Sequence, residues 1–392
     1  MKYFIFIFLI MASCKQSSEK NSETYKTIHN RAIVIDTHND ILMKVLEDGV
    51  KFDDDLTGIT HSDLDRWKRG GLDVQVFSVY CDGTAKNAYD YANRQIDWLD
   101  AVVNRNPSKI MKVFNASELL SAVKTGKIAA IIGVEGGHMI ENDLDKLDSL
   151  YQRGARYLTL THNTSADWVS SCVDQTERPE IPKGLTDFGK AVIKRMNNLG
   201  MLVDVSHAGE QSFWDAINTS TKPVFASHSS VYSLCPHPRN LKDDQIKAIA
   251  KKGGVIQINF NPGFVDASFE KKEQDFLEKH KTEHDSLMAS LQDEWLVKFQ
   301  LYKTYADEAE PIRPPLFKVI DHIDYIVNLV GADYVGIGSD FDGITLTPKE
   351  LDDVTAYPNI TRALVERGYS EADIDKILGE NFIRVLKANE NN

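Results

Sequence analysis

The sequence is poor in the features that mark several common protein classes. It has four cysteines (Cys14, Cys81, Cys172 and Cys235) and no C-x-x-C pair, too few for a disulfide-framed scaffold. It has no internal apolar run of the ~18 residues needed for an ordinary transmembrane helix. It has no surplus of positive charge: 45 Lys and Arg stand against 58 Asp and Glu, a net charge of −13. Without a basic face to neutralise phosphates, a nucleic-acid partner is excluded. It also lacks G-x-G-x-x-G after its first β-like run, the fingerprint of a dinucleotide-binding sheet. What remains is globular. The chain is 392 residues long, 42% hydrophobic and 26% charged, which excludes disordered, collagen-like and coiled-coil chains. That length suits one large domain or two ordinary ones.

The N-terminus reads as an address. Residues 1–13 carry one Lys, an apolar run from Tyr3 to Met11 and the small pair Ala12-Ser13. This is a signal peptide with a short apolar region. Cys14, directly after the small pair, resembles the lipidated Cys of a bacterial lipobox, although Met11 stands where Leu is usual. Residues 14–30 are expected to be a lipidated Cys and flexible tether, because Lys15 to Glu23 has no apolar residue. The expected location is that of an exported bacterial lipoprotein, membrane-anchored on a periplasmic or cell-surface face. Export implies an oxidising compartment, so a Cys81–Cys172 disulfide and free buried thiols both stay open.

Residues 31–392 read as a single domain with a recurring unit. An amphipathic helical stretch ends at Gly and a short β-branched run follows. The junctions are Gly126, Gly154, Gly200, Gly254 and Gly331, where Gly suits a left-handed helix cap. Eight apolar runs result, at 32–35, 74–80, 128–134, 157–160, 201–206, 223–227, 254–260 and 334–338. Helical patterns such as Asp187–Leu199 and Leu316–Leu329 separate them. Strands apolar nearly throughout suit a parallel sheet buried on both faces. Eight such units predict an α/β fold, a closed (β/α)8 TIM-like barrel, with an open doubly wound sheet as the alternative. Residues 265–310 break the pattern and are rich in Glu, Lys, Asp and His. They predict a helical insertion after the seventh strand, a lid over the active face or a charged spacer. The segment after Ser370 predicts a closing amphipathic helix.

Barrel chemistry sits at the carboxyl ends of the strands, and those ends here carry metal-ligand residue types. The first run leads into His38 and Asp40, which two-residue spacing on an extended segment places on one side. The third ends at Glu135, whose two oxygens can bridge two ions, followed by two glycines that allow close backbone approach. The fourth, fifth and sixth end at His162, His207 and His228, and the eighth at Asp340. One such His is usually a satisfied core residue. Three on consecutive strands, after His38 and Glu135, point to a site. With His162 and Asp340 set aside for substrate and proton work, two carboxylates and three imidazoles form a borderline-hard N/O set. That set suits zinc better than Mn or Fe. Two ions sharing Glu135, roughly 3.5–4 Å apart, would hold a bridging hydroxide and polarise a carbonyl. Hydrolysis of an amide-like bond follows.

Nearly the whole chain from 31 to about 385 resembles the membrane (renal-type) dipeptidases, zinc metallopeptidases of the amidohydrolase-like barrel group. The matching stretches are VIDTHNDI, DLDRWKRGGLDVQVFSVY, GVEGGHMI, YLTLTHN, GLTDFGKAVIKRMNNLGMLVDVSH, ASHSS, HPRN and VGIGSDFDG. The resemblance implies two Zn2+ per chain: His38 and Asp40 on the first, His207 and His228 on the second, Glu135 bridging. It implies that His162 contacts the substrate carbonyl and stabilises the oxyanion. Arg239, in HPRN, would hold the substrate carboxylate, and Asp340 would bind the free amine and handle the proton. The implied substrates are free dipeptides, L,L and also L,D, and a homodimer is compatible with the family. Residues 163–183 and the 265–310 insertion depart from the pattern and leave specificity open. The rival readings are a hydrolase of another small amide, ester or lactam on the same site, and a non-catalytic binding lipoprotein. All eight site residues are present, which disfavours the second.

Overall fold

The computed structural model describes residues 24–178 and 183–391. The expected signal peptide, Cys14 and the tether through residue 23 lie outside the described residues. Residues 24–31 are helical, so the end of the expected tether is structured. Ile28 and His29 of this helix are buried, and the His29 ring bonds Thr361 Oγ1 at 2.7 Å and the Gly70 carbonyl at 2.9 Å.

Among the described residues nine parallel strands are formed: β1 Ile35–Asn39, β2 Val74–Tyr80, β3 Ile110–Lys112, β4 Ile128–Glu135, β5 Ala155–Thr159, β6 Leu202–Asp204, β7 Val224–Ala226, β8 Val255–Ile258 and β9 Val335–Ile337. Eight run side by side in the order β1-β2-β4-β5-β6-β7-β8-β9, and β3 pairs with the start of β4. The ring closes where Asn39 bridges Phe341 and Asp40 N donates to the Phe341 carbonyl at 2.9 Å. This is the (β/α)8 TIM-like barrel, with β3 as an addition. The first strand starts later than its apolar run and extends through His38. The residues facing the top of a barrel's interior are polar, so composition alone ends that strand too early.

Alternation along the strands builds two layers inside the ring. One set of alternate residues, including Val74, Val76, Ala129, Ile131, Tyr157, Leu202 and Phe225, forms a single buried apolar cluster. Phe382, Val385 and Leu386 of the last helix, Asn381–Asn389, plug it from below. Two residues further along their strands come Ser78, Thr159, Asp204 and Ser227, and Glu135 stands four beyond Ile131, past Gly133; together they form a polar layer above an apolar floor. Gly133 permits the transition. A Cβ there would collide with the Tyr157 ring.

The helix Asp187–Leu199 has the predicted bounds. Thr186 caps its start, its side chain accepting from Gly189 N, and left-handed Gly200 closes it. At the Gly253-Gly254 pair the left-handed residue is Gly253, not Gly254. Residues 265–310 are a helical insertion, with helices Phe269–Lys279, Lys281–Leu291 and Glu294–Thr304 around a small core of Phe276, Val297, Leu301 and Tyr302. Cys81, Cys172 and Cys235 are free buried thiols, so Cys81 and Cys172 are not bridged. Cys81 Sγ instead lies 3.6 Å from Met139 Sδ. Among the described residues, no helix is long and apolar enough to cross a membrane.

Candidate active site

Six strand ends deliver their polar residues to one point. Glu135, buried at the end of β4, faces both ways. Its Oε2 lies 3.4 Å from His38 Nε2, which is 3.5 Å from Asp40 Oδ2. Its Oε1 lies 3.1 Å from His207 Nε2 and 3.3 Å from His228 Nε2. The His38 and His228 rings stack with centroids 3.7 Å apart. All five side chains predicted as ligands therefore meet, with Glu135 between the two pairs. His162 joins Glu135 and His207 within ligating distance, and Asp340 joins His38 and Asp40.

Each of the three imidazoles predicted as ligands has its outer nitrogen occupied. His207 Nδ1 meets Asn163 Oδ1 at 3.0 Å, and an amide oxygen only accepts. His38 Nδ1 meets Tyr157 OH at 2.9 Å, while that hydroxyl donates to the Thr37 carbonyl. His228 Nδ1 meets Ser227 Oγ at 2.7 Å, while that hydroxyl donates to Asp204. In this network all three rings carry a proton on Nδ1, and His207 and His228 present the Nε2 lone pair inward.

That inward arrangement fits a metal. His207 Nε2 and His228 Nε2 are 2.9 Å apart, two lone pairs facing each other beside a carboxylate oxygen. No proton is available between them, so the site needs cations. His38 Nε2 and Asp40 Oδ1 are buried without a hydrogen-bond partner, a costly state for isolated polar atoms. Burial drives His207 and His228 well below the usual imidazole range, which favours the neutral, ligating form. Burial acts against ionised Glu135, yet the neighbouring imidazoles, His38 foremost, hold it well below the usual carboxylate range. Burial likewise acts against a charged His38, yet Tyr157 and the Glu135 and Asp40 carboxylates hold that ring well above the usual imidazole range.

The cavity above, about 600 Å³, is lined by Asp40, Glu135, His162, His207, Arg239 and Asp340 at its base. Asn259 Nδ2 donates to Asp340 Oδ2 at 2.9 Å. Burial, reinforced by the Asp40 carboxylate, pushes Asp340 up to about 8. Burial, with a further push from the Arg239 guanidinium, takes His162 down to about 4 and leaves it neutral. His207 and Asp340 hold left-handed backbone, with φ of 64° and 66°. Such strain at non-glycine residues costs of order 1–3 kcal/mol and gathers at functional sites. Arg239 is 4% exposed; its Nη2 donates to the His228 carbonyl at 3.2 Å and its Nη1 has no partner.

Some contributors escape sequence reasoning. Asn163, Tyr157, Ser227 and Asn259 act by hydrogen bonding to ligands or to Asp340. Only the adjacency of Asn163 to His162 and of Ser227 to His228 pointed toward them. The insertion also reaches the cavity. Trp295 Nε1 donates to the Gly343 carbonyl at 2.9 Å, and Lys44 Nζ lies 3.5 Å from the centroid of its ring.

Fold and site together define a metallopeptidase of the barrel type. The description "Membrane dipeptidase (Peptidase family M19)" matches residues 22–392, and the chain belongs to that family of metal-dependent peptide hydrolases. Solved structures agree. The probable dipeptidase PvdM from Pseudomonas aeruginosa is 25% identical, with a TM-score of 0.77 over 95% of this chain and 98% of that one. Another family M19 metallopeptidase, dipeptidase AC, is 25% identical, with a TM-score of 0.74 over 91% and 98%. A metallopeptidase from Rhodobacter sphaeroides, liganded with a phosphinate mimic of L-Ala-D-Ala, is 24% identical, with a TM-score of 0.75 over 92% and 100%.

Proposed function

We propose that the protein hydrolyses free dipeptides with two zinc ions per chain, one held by His38 and Asp40, the other by His207 and His228, with Glu135 shared. The observation that carries this reading is the content of one cavity. Asp40, Glu135 and His207 of the metal-ready cluster, Arg239 and Asp340 all line it, and buried Arg239 keeps its Nη1 without a hydrogen-bond partner. A free dipeptide has a carboxylate and an amine on opposite sides of its one peptide bond. Arg239 binds the carboxylate through a planar fork. Asp340 receives the amine on the other side.

The imidazole-rich donor set favours zinc. Bound there, the metal pair supplies an activated water and Lewis-acid polarisation of the carbonyl. The chain supplies the rest. Neutral His162 donates an N–H toward the developing oxyanion. Asp340, with one oxygen held by Asn259, takes up the proton released by the attacking water and passes it to the leaving amine. Glu135 and Asp340 thus serve catalysis as bridge and proton carrier, and His162 as the carbonyl partner. The wall of Tyr80, Phe264 and Trp295 encloses the substrate. For the N-terminus, the reading is a lipoprotein anchored through Cys14, supported by the sequence pattern before that residue.

The test is kcat/KM across a matrix of L,L- and L,D-dipeptides, each with N-acetylated and C-amidated counterparts. L,D members belong in it because the Rhodobacter metallopeptidase binds a mimic of L-Ala-D-Ala. Free dipeptides are the expected substrates, and blocking either terminus should cost activity. Equal hydrolysis of free and blocked forms, or preference for an unrelated ester or lactam, would contradict the reading.

A further inference from the structure

One buried acid beneath the site has no part in the chemistry above. Asp204 ends β6, in the polar layer, and is fully buried. Its Oδ1 accepts the backbone N–H groups of Ser206 at 3.0 Å and Ser227 at 2.9 Å. Its Oδ2 accepts the hydroxyls of Thr159 and Ser227, each at 2.6 Å. The Ser227 hydroxyl has one proton. Spent on Asp204, that proton cannot also reach His228, whose Nδ1 lies 2.7 Å from the same oxygen. A longer contact of Ser227 Oγ to Ser206 Oγ, 3.4 Å, would direct the proton away from His228 as well.

We propose that Asp204 is a positioning residue that sets the tautomer of His228 through Ser227, keeping Nδ1 protonated and the Nε2 lone pair turned toward Glu135. The inference rests on the reading of His228 as a metal ligand. Asp204 touches neither metal ligand nor substrate cavity with its side chain. Its influence is the direction of two consecutive hydrogen bonds.

Asp204→Asn reverses that direction without changing shape. Two backbone N–H groups fix the amide oxygen at the Oδ1 position, so the amide nitrogen faces Thr159 and Ser227 and donates to both. The Ser227 hydroxyl then accepts, and its own proton turns to His228 Nδ1 at 2.7 Å in preference to the more distant Ser206 Oγ at 3.4 Å. The ring is left protonated at Nε2, where it cannot ligate. Asp36 supplies the control. It is equally buried and accepts four bonds, from His38 N, Ser339 N, Ser339 Oγ and Tyr357 OH, but no imidazole side chain lies on its path.

The experiment reads the imidazole tautomers of the metal-free full-length protein by long-range proton–nitrogen NMR, and zinc affinity by chelator competition. Wild type should show the Nδ1-protonated form at His228. Asp204→Asn should shift it to the Nε2-protonated form and weaken one zinc equivalent roughly 10–100-fold, the usual range for outer-shell partners. Asp36→Asn should leave the His228 tautomer unchanged. Ser227→Ala, which deletes only the relay hydroxyl, should weaken zinc less than Asp204→Asn, and the double variant should match Ser227→Ala alone. That pair keeps the test available if Asp204→Asn folds poorly. An unchanged His228 tautomer in Asp204→Asn, or additive losses in the double variant, would overturn the proposal. A changed tautomer with unaltered zinc affinity would instead overturn His228 as a ligand.

Discussion

Arg239→Ala probes how the site measures peptide length. The Arg239 side chain is almost entirely buried, stacks 5.4 Å from the Phe264 ring centroid, and spends Nη2 on the His228 carbonyl. Nη1 is left for a ligand. A substrate carboxylate meeting that guanidinium is a charged pair formed out of bulk water. Removing one partner of such a pair costs about 2–5 kcal/mol, because the other charge is left unpaired. At about 1.4 kcal/mol per decade, kcat/KM for a free dipeptide should fall roughly 30-fold to several thousand-fold. The C-terminal amide of the same dipeptide, already a poor substrate, should lose much less. Arg239→Lys should recover part of the loss, since an ammonium carries the charge without the fork. Zinc content should not change, because no metal-facing atom of the cluster belongs to Arg239. The assay is kcat/KM for one dipeptide and its amide in the three proteins. Equal losses on both substrates would refute carboxylate recognition by Arg239.

Three other expectations are as specific. His207→Ala and His228→Ala should each abolish most activity and lower bound zinc measured by elemental analysis; full metal content in either variant would remove that residue from the ligand set. Trp295→Ala removes an indole–carbonyl hydrogen bond and a cation–π contact, together about 1–3 kcal/mol. It also removes a wall shared by the active-site cavity and a neighbouring cavity of about 610 Å³. Discrimination among dipeptides by side-chain size should relax, and an unchanged substrate profile would show that the insertion does not shape specificity. Cys14→Ala should release the protein from the membrane fraction with its catalytic domain competent; lipid-free, wholly soluble wild type would contradict the anchor.

The barrel was legible because buried parallel strands are apolar on both faces, which makes a carboxylate or imidazole at a strand end conspicuous. His38, Asp40, Glu135, His207 and His228 stood out for that reason, and the structure brings them within reach of one another. The same contrast misled at β1, whose ligand-bearing half is as polar as a loop. It also hid β3, where Lys112 splits Ile110-Met111 from Val113-Phe114 and leaves only short apolar pieces. The supporting shell was less visible. Tyr157, Asn163 and Ser227 matter for which way a hydrogen bond points, and spacing along a chain does not encode direction. Period-two alternation would have placed Thr159, Asp204 and Ser227 in one layer, since each lies two residues beyond a floor residue on its strand. Trp295 was beyond reach. Its contacts to Lys44 and Gly343 depend on how a charged insertion folds back over the barrel.

The central claim is a dipeptidase built on a shared-carboxylate metal pair. It is tested most directly by titrating zinc into metal-free, full-length protein while following hydrolysis of a free dipeptide. Activity should rise from near zero and level off at two equivalents per chain. A plateau at one equivalent would contradict the paired site, and the absence of dipeptide hydrolysis at any zinc concentration would contradict the function.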